Sequence, residues 1–359
     1  MTTFLTPGPS EPYPKLRKFL DDAWDQRIIS QSHRSATFTD IYKNTDAALR
    51  AIMDIPKNYQ IVFLGSATEA MERIIQGVVK QRSHHFVYGA FSEKWFEIAQ
   101  QLGKDPSVTK VEHGNHFDHQ ELSVPSDAEL VCLTQNETST GAAFPLEELN
   151  YVIDQAPKAL IALDVVSSAP LVKLPWKKLD LVFFSIQKAF GLPAGLGVLI
   201  MSPRALKKAE TINKEGASVG SYHSLLGLAE FGAQYQTPAT PNVLGIYLLG
   251  RVAADMESIG INALITENRR RSALMYQTLE NSRYLDPFIH EPTWRSFTVA
   301  VVSVNGGSQK LHDELVEREL IPSKGYGTFK NAHLRLANFP SINPQSFDAL
   351  IGHIKAFKA

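Results

Sequence analysis

Cysteine is almost missing from this chain: Cys132 is the only one in 359 residues. A single thiol excludes an intrachain disulfide and suits a reducing compartment, so a cytoplasmic location is expected. Cys132 stands in the apolar run Glu129-Leu130-Val131-Cys132-Leu133 and reads as a small core residue, not a nucleophile. An excess of charge is missing too, since 36 Lys and Arg against 37 Asp and Glu leave a formal −1. No basic face is announced, which argues against nucleic acid as a partner. No apolar run is long enough to cross a bilayer. The N-terminus lacks the charged-then-apolar pattern of a secretion signal, so no membrane partner is expected. Internal repeats and low-complexity segments are absent as well. Histidines do cluster, at His84-His85 and at His113, His116 and His119. The second group has no Cys or Glu at a closed-site spacing and reads as a solvated loop, so no metal is expected.

What remains is an ordinary globular composition, 44% hydrophobic and 20% charged, in a chain too long for one typical core. Two domains are expected. From about residue 38 to 235, apolar runs of strand length alternate with segments of helical period. Helices are predicted over Phe38–Met53, Thr68–Val79, Ser92–Leu102 and Leu146–Gln155, with strands at Ile61–Leu64, Phe86–Val87 and Leu130–Leu133. The alternation argues for an α/β fold with a mostly parallel sheet covered by helices, whose ligands bind at the strands' carboxyl ends. The tail has two long helices, Asn242–Ser258 and Asn262–Leu279, then strands at Phe297–Val304 and Leu334–Ala337 and a closing helix over Pro344–Phe357. It reads as a smaller α+β domain. The expected division is 15–245 and 246–359, with residues 1–14 packing near the active site.

Two charges interrupt the most apolar part of the chain. Lys188 follows Leu181-Val182-Phe183-Phe184-Ser185-Ile186-Gln187 and precedes a glycine-rich turn and a second apolar run, Gly197 to Met201. It is predicted at the end of a buried strand. Burial lowers a lysine's pKa and makes it a carbonyl nucleophile; the plainer alternative is a lysine reaching past the strand end to water. Asp164 ends another run, Ala159 to Val166. A buried carboxylate needs a partner, and a pyridinium nitrogen would serve; a helix cap is the alternative. A lysine for a Schiff base and an acid on the ring nitrogen are what pyridoxal phosphate requires.

The segments Asp164-Val165-Val166-Ser167-Ser168, Ser185-Ile186-Gln187-Lys188 and Gly191-Leu192-Pro193-Ala194-Gly195-Leu196 resemble the class V aminotransferases of fold type I. Within them, the Gln-Lys pair with Gly-Leu-Pro-Ala-Gly-Leu, and Ser32-His33-Arg34-Ser35, are similar to phosphoserine aminotransferases. Matches run from Thr6-Pro7-Gly8-Pro9 to the region of Arg335. The resemblance implies the fold of pyridoxal-phosphate transferases, with a sheet of the seven-stranded type in the large domain. It implies Lys188 as the cofactor lysine and Asp164 on the ring nitrogen. Ser66, Ala67 and Thr68 match the segment that holds the cofactor phosphate; a plain helix cap would look the same. Phe91 matches an aromatic stacked on the ring, with Val166 under the opposite face. Thr138 matches the hydroxyl near the ring's 3-oxygen, and Gln187 a further polar contact. Gln236 and Thr237 match a loop that caps the neighbouring subunit's phosphate, which implies a homodimer with shared sites.

For the substrate, Arg335 matches the arginine that grips the α-carboxylate, though alone it reads equally as an edge-strand arginine. His33 and Arg34 match a pair that binds the distal phosphate from the partner subunit. Lys324 lies where relatives carry a basic loop. Two departures stand out: Thr68 replaces an arginine, and the usual His-Arg of the Lys324 loop is missing. The implied reaction is amino transfer from phosphoserine to 2-oxoglutarate in serine biosynthesis. A rival is another class V aminotransferase acting on serine or alanine with glyoxylate or pyruvate. A cysteine desulfurase is disfavoured for want of a second cysteine. A non-catalytic ligand-binding protein is the rival of a different class, and the Lys188/Asp164 pair argues against it.

Overall fold

The computed structural model describes residues 2–217 and 219–358. Its centre is a seven-stranded sheet. In chain order the strands are β1 (Gln60–Leu64), β2 (Ser83–Val87), β3 (Ser107–Lys110), β4 (Leu130–Thr134), β5 (Leu160–Asp164), β6 (Leu181–Ser185) and β7 (Gly197–Met201). Across the sheet they run β1-β7-β6-β5-β4-β2-β3. All neighbours pair in parallel except β7, which lies antiparallel between β1 and β6. The register sets Gly197 opposite both Leu64 and Ser185, and Thr134 opposite Asp164. The ends of β1, β4, β5 and β6 and the start of β7 therefore share one rim.

Helices cover both faces because their apolar stripes match the sheet's. Trp95, in the helix Ala90–Gln101, meets Phe183 edge-on at 5.0 Å. Burial of each such ring contributes on the order of 2–3 kcal/mol. On the other face, the helix Ala36–Met53 lies against Val243–Ile259, where Thr45 Oγ1 donates to the Ile246 carbonyl at 2.9 Å. A side chain on Gly250 would strike that hydroxyl, with its Cβ 2.4 Å away. Val243–Ile259 straddles the expected division at 245/246, and its apolar side joins the core of the central sheet.

A second core surrounds a four-stranded antiparallel sheet, β8 (Leu285–Pro287), β9 (Val299–Val304), β10 (Ser323–Lys324) and β11 (His333–Ala337), ordered β8-β9-β11-β10. The chain's beginning ties the two sheets together. Thr3–Phe4 pairs in parallel with Leu320–Ile321, and the Ala337 N–H donates to the Leu5 carbonyl at 2.8 Å. A few residues on, the Ser10 N–H donates to Gln187 O at 3.1 Å and the Ser10 hydroxyl donates to Lys188 O at 2.5 Å.

The structure differs from the sequence expectation in a few elements. Strand β2 begins three residues early, at Ser83, because His84 and His85 are buried in it. Burial holds both imidazoles neutral, with values lowered to about 4 and about 3. Strand β3 is polar except for Val108 and lies on an exposed edge, so it has no apolar pattern to read. The helices Leu16–Asp25, Pro203–Lys214 and Leu225–Gly232 were not foreseen. Lys188 does not end a strand: β6 stops at Ser185 and the lysine stands in the following turn.

Candidate active site

The rim where the strands end surrounds a cavity of about 130 Å³. Asp164 enters it from the end of β5 and Lys188 from the turn that follows β6. Ser66, Ala67 and Thr68 close one side, and Phe91, Thr138, Val166 and Gln187 complete the wall, together with Met71, Asn136 and Ser185. Gln236, Thr237, His33, Arg34, Lys324 and Arg335 do not line it.

Each wall residue is placed by its local fold. Ser66 caps the helix Ala67–Val78, its hydroxyl accepting from the Glu69 N–H at 3.1 Å. The Ala67 N–H donates to Ser185 Oγ at 2.9 Å, which ties this turn to the end of β6. Gly197 lets the backbones meet: a Cβ there would lie 2.5 Å from the Ser66 carbonyl carbon. The result is a helix N-terminus opening on the cavity, which favours an anion. Thr138 donates its hydroxyl to Ser167 Oγ at 2.7 Å. The Gln187 Oε1 is buried and has no partner among the described residues.

The two charges are held in uncommon states. Lys188 is 9% exposed. Burial first, and then the nearby Arg335 guanidinium, lower its ammonium to about 8; Asp164 and Glu137 oppose the shift. Its Nζ lies 5.8 Å from the centre of the Phe91 ring. Gly8 covers it from above, where a Cβ would come within 2.4 Å of Nζ on a backbone at φ +143°. Asp164 is fully enclosed, and burial raises its carboxyl to about 7. The Val166 N–H, 2.8 Å away, supplies its one hydrogen bond among the described residues. A carboxylate with so little support calls for a cationic or donor partner in the cavity.

The remaining expected residues fall in two places. Arg335 extends from β11. Its Nε donates to the Lys324 carbonyl at 3.0 Å and its guanidinium lies over Tyr326 at 5.4 Å. The terminal guanidinium nitrogens have no partner among the described residues, which leaves them open to a carboxylate. Lys324 turns the other way, its Nζ donating to Gln309 Oε1 at 2.8 Å. His33, Arg34, Gln236 and Thr237 form a separate cluster. Arg34 donates to Gln236 Oε1 at 2.9 Å and to the Thr237 carbonyl at 2.8 Å, with its guanidinium over Phe231. His33 Nδ1 and Thr240 Oγ1 lie 3.4 Å apart.

Sequence reasoning missed Glu137. It is wholly buried beside the cavity and accepts from the Phe91 and Ser92 N–H groups at 3.1 and 2.9 Å. The run of hydroxyls in Asn136-Glu137-Thr138-Ser139-Thr140 was the available signal. Among the described residues, no cluster of three or more His, Cys, Asp or Glu side chains could hold a metal, and no helix is long and apolar enough to cross a membrane.

Comparisons with known proteins agree with this geometry. The model of the family "Aminotransferase class-V" matches residues 6–327. A phosphoserine aminotransferase from a Nocardioides species is 26% identical over 330 residues, covering 90% of this chain and 87% of the relative. The crystal structure of a phosphoserine aminotransferase from Cytophaga hutchinsonii is 37% identical, with a TM-score of 0.97 over 99% of this chain and 98% of that one. An aspartate aminotransferase from Thermus thermophilus shares the fold at 21% identity, with a TM-score of 0.83 over 99% and 98%. With a family match over nearly all of its length, the chain belongs to the class V aminotransferases, enzymes that use pyridoxal phosphate to move an amino group between an amino acid and a 2-oxo acid.

Proposed function

We propose that this aminotransferase takes phosphoserine as its amino donor, with 2-oxoglutarate as acceptor, in the making of serine. The observation that carries this reading is the His33–Arg34 pair, two side chains suited to a distal phosphate, in a chain similar along its length to phosphoserine aminotransferases.

The residues present suit the cofactor. An unpaired buried carboxylate, a buried lysine, an orphaned Gln187 oxygen and an open helix N-terminus meet in one cavity. When bound, pyridoxal phosphate supplies an aldehyde that condenses with amines and a ring that takes up the electron pair left when the Cα–H bond breaks. Lys188 would hold the aldehyde and Asp164 the ring nitrogen. Ser66, Ala67 and Thr68 would hold the phosphate, Phe91 and Val166 the two ring faces, and Thr138 and Gln187 the ring's polar edge. The Lys188 amine would take the Cα proton of the bound amino acid; burial keeps a useful fraction of it unprotonated near neutral pH. Arg335 binds the α-carboxylate and orients that Cα–H bond. The cavity walls would keep water from that Cα.

The active unit in this reading is a homodimer. Arg34 binds Gln236 and Thr237, and His33 pairs with Thr240 next to them, yet all four expected residues stand apart from their own chain's cavity. A second copy would bring this cluster to the cavity, Gln236 and Thr237 toward the cofactor phosphate and His33 and Arg34 toward the substrate's. Sedimentation of the cofactor-loaded protein should give a dimer at working concentrations. An active, loaded monomer overturns the shared site.

One second reading has an observation behind it. Thr68 stands in place of an arginine and the Lys324 ammonium is engaged by Gln309, which leaves the phosphate pocket weakly basic. Serine or alanine, with glyoxylate or pyruvate, would suit that pocket. Half-reactions separate the two: each amino acid is added to the loaded enzyme and loss of the visible band is timed. Phosphoserine should react with the highest kcat/KM. Arg34→Ala should cost phosphoserine about ten- to a hundredfold while sparing serine and alanine, as loss of a charge-assisted contact to one substrate only. Equal rates in the wild type, or equal losses in the variant, favour the second reading.

A further inference from the structure

Glu137 has no place in the mechanism above, yet it is among the most fully enclosed carboxylates of the protein. Five donors surround it. Two are backbone N–H groups in the first turn of the helix Ala90–Gln101, from Phe91 and Ser92. The Ser92 hydroxyl donates at 3.0 Å. Ser139 gives its N–H at 3.2 Å and its hydroxyl at 2.6 Å. Ser139 Oγ in turn accepts from the Ala90 N–H at 2.9 Å. Gly89 must be bare, because a Cβ there would lie 2.2 Å from Glu137 Cγ. No cation lies within ion-pair distance of Glu137 among the described residues.

Helix caps are ordinarily neutral or exposed side chains next to the helix in sequence. This cap comes from a residue about 45 positions away, and it is a buried charge, which costs far more to desolvate than serine or asparagine would. Two features of the place account for it. The capped turn carries Phe91, the ring that faces Lys188. And the charges in and beside the cavity are two cations, Lys188 in its wall and Arg335 outside it but felt at Lys188, against a single anion in the wall, Asp164. The charge of Glu137 is felt at all three. Tyr88, packed beside it, is neutral and donates its hydroxyl to the Thr134 carbonyl. Tyr326 faces Arg335 from the far side.

We infer that Glu137 is a positioning residue of the cofactor site: it locks the first turn of the helix Ala90–Gln101 to the Asn136–Thr140 turn, sets Phe91 against Lys188, and supplies the second negative charge that the two cations require. The inference rests on the reading of Lys188 and Phe91 as cofactor residues and is independent of the substrate.

The test is a double-variant cycle on the full-length protein with Glu137→Gln and Phe91→Ala. Two quantities are read: the Kd for pyridoxal phosphate and the pH midpoint of the loaded protein's visible absorption. E137Q should weaken the cofactor about tenfold alone but less than about twofold more in the F91A background, as for residues acting through one another. The midpoint should fall by about half a unit or more, because an anion that favours the protonated nitrogen of Lys188 is gone. Ser139→Ala keeps the charge and loosens the turn. It should weaken the cofactor in the same F91-dependent way without moving the midpoint, and it carries the cycle if E137Q does not fold. Additive losses, or a lower Tm with midpoint and Kd unchanged, reduce Glu137 to a helix cap and overturn the inference. A normal Kd in F91A alone overturns the cofactor role of Phe91, and the inference with it.

Discussion

Lys188→Ala should fold and yet lose more than about three orders of magnitude in turnover, because in the proposed reading one side chain serves as both covalent anchor and base. The fold survives because the backbone at 188 is held independently of the side chain. Its carbonyl accepts from the Gly191 N–H at 2.9 Å and from the Ser10 hydroxyl. Alanine there enlarges a cavity that already exists. It also removes a cation that the folded state holds unwillingly. With its value lowered to about 8, folded Lys188 binds fewer protons than the unfolded chain between about 8 and its ordinary value. Its cost to the cofactor-free protein is therefore full below that window and fades as pH rises through it. The cofactor-free variant should melt at or above the wild-type temperature at neutral pH. Borohydride treatment of the loaded wild type, followed by peptide mapping, should label Lys188. Label on another lysine overturns the assignment.

Asp164→Asn should collapse kcat much more than cofactor affinity. The amide keeps the shape and can still accept from the Val166 N–H, but it cannot hold a proton on the ring nitrogen by charge. Stability should move in the opposite direction. The folded carboxyl titrates near 7, so between the ordinary carboxylate value and 7 the folded protein binds more protons than the unfolded one. Wild-type stability therefore falls as pH rises through that window, by an amount on the order of a few kcal/mol. Asparagine removes the dependence. Cofactor-free D164N should match the wild type at about pH 4 and melt several degrees higher at about pH 8. Near-wild-type turnover in D164N would make Asp164 a structural cap instead.

The parts of this site legible in the sequence were those that a single strand and its following turn define. Asp164 and Lys188 stood out because each breaks an apolar run, and a charge in such a run has few physical excuses. The reversed direction of β7 was not legible, since a fully buried strand reads alike in either direction. Edge strand β3 gave no signal because it is short and exposed, with Val108 its one apolar residue and no buried face to set a pattern. Glu137 was hidden for a different reason. A glutamate among threonines and serines looks solvated, and only the helix that packs on it from about 45 residues upstream makes it a buried charge. The bond of Arg34 to Gln236 joins positions 202 apart and no local pattern encodes it. Lys324 shows the limit from the other side: its position in the chain suggests a basic pocket, but its side chain is directed by Gln309.

The strap that carries Gly8 over Lys188 has a consequence for how the protein is made. The backbone of residues 3–5 pairs with Glu319–Ile321 and Ala337, far downstream in the chain. Every strand of the central sheet lies within residues 60–201, so that sheet can assemble before the strap's partners at 319–337 exist. Until residues near 337 are synthesised, Gly8 is anchored on one side only, by the bonds of Ser10 to Gln187 and Lys188, and the cover over the Lys188 amine is incomplete. The cover over Lys188 is thus completed only when residues 3–5 meet the small sheet, a step that can follow the assembly of the central sheet.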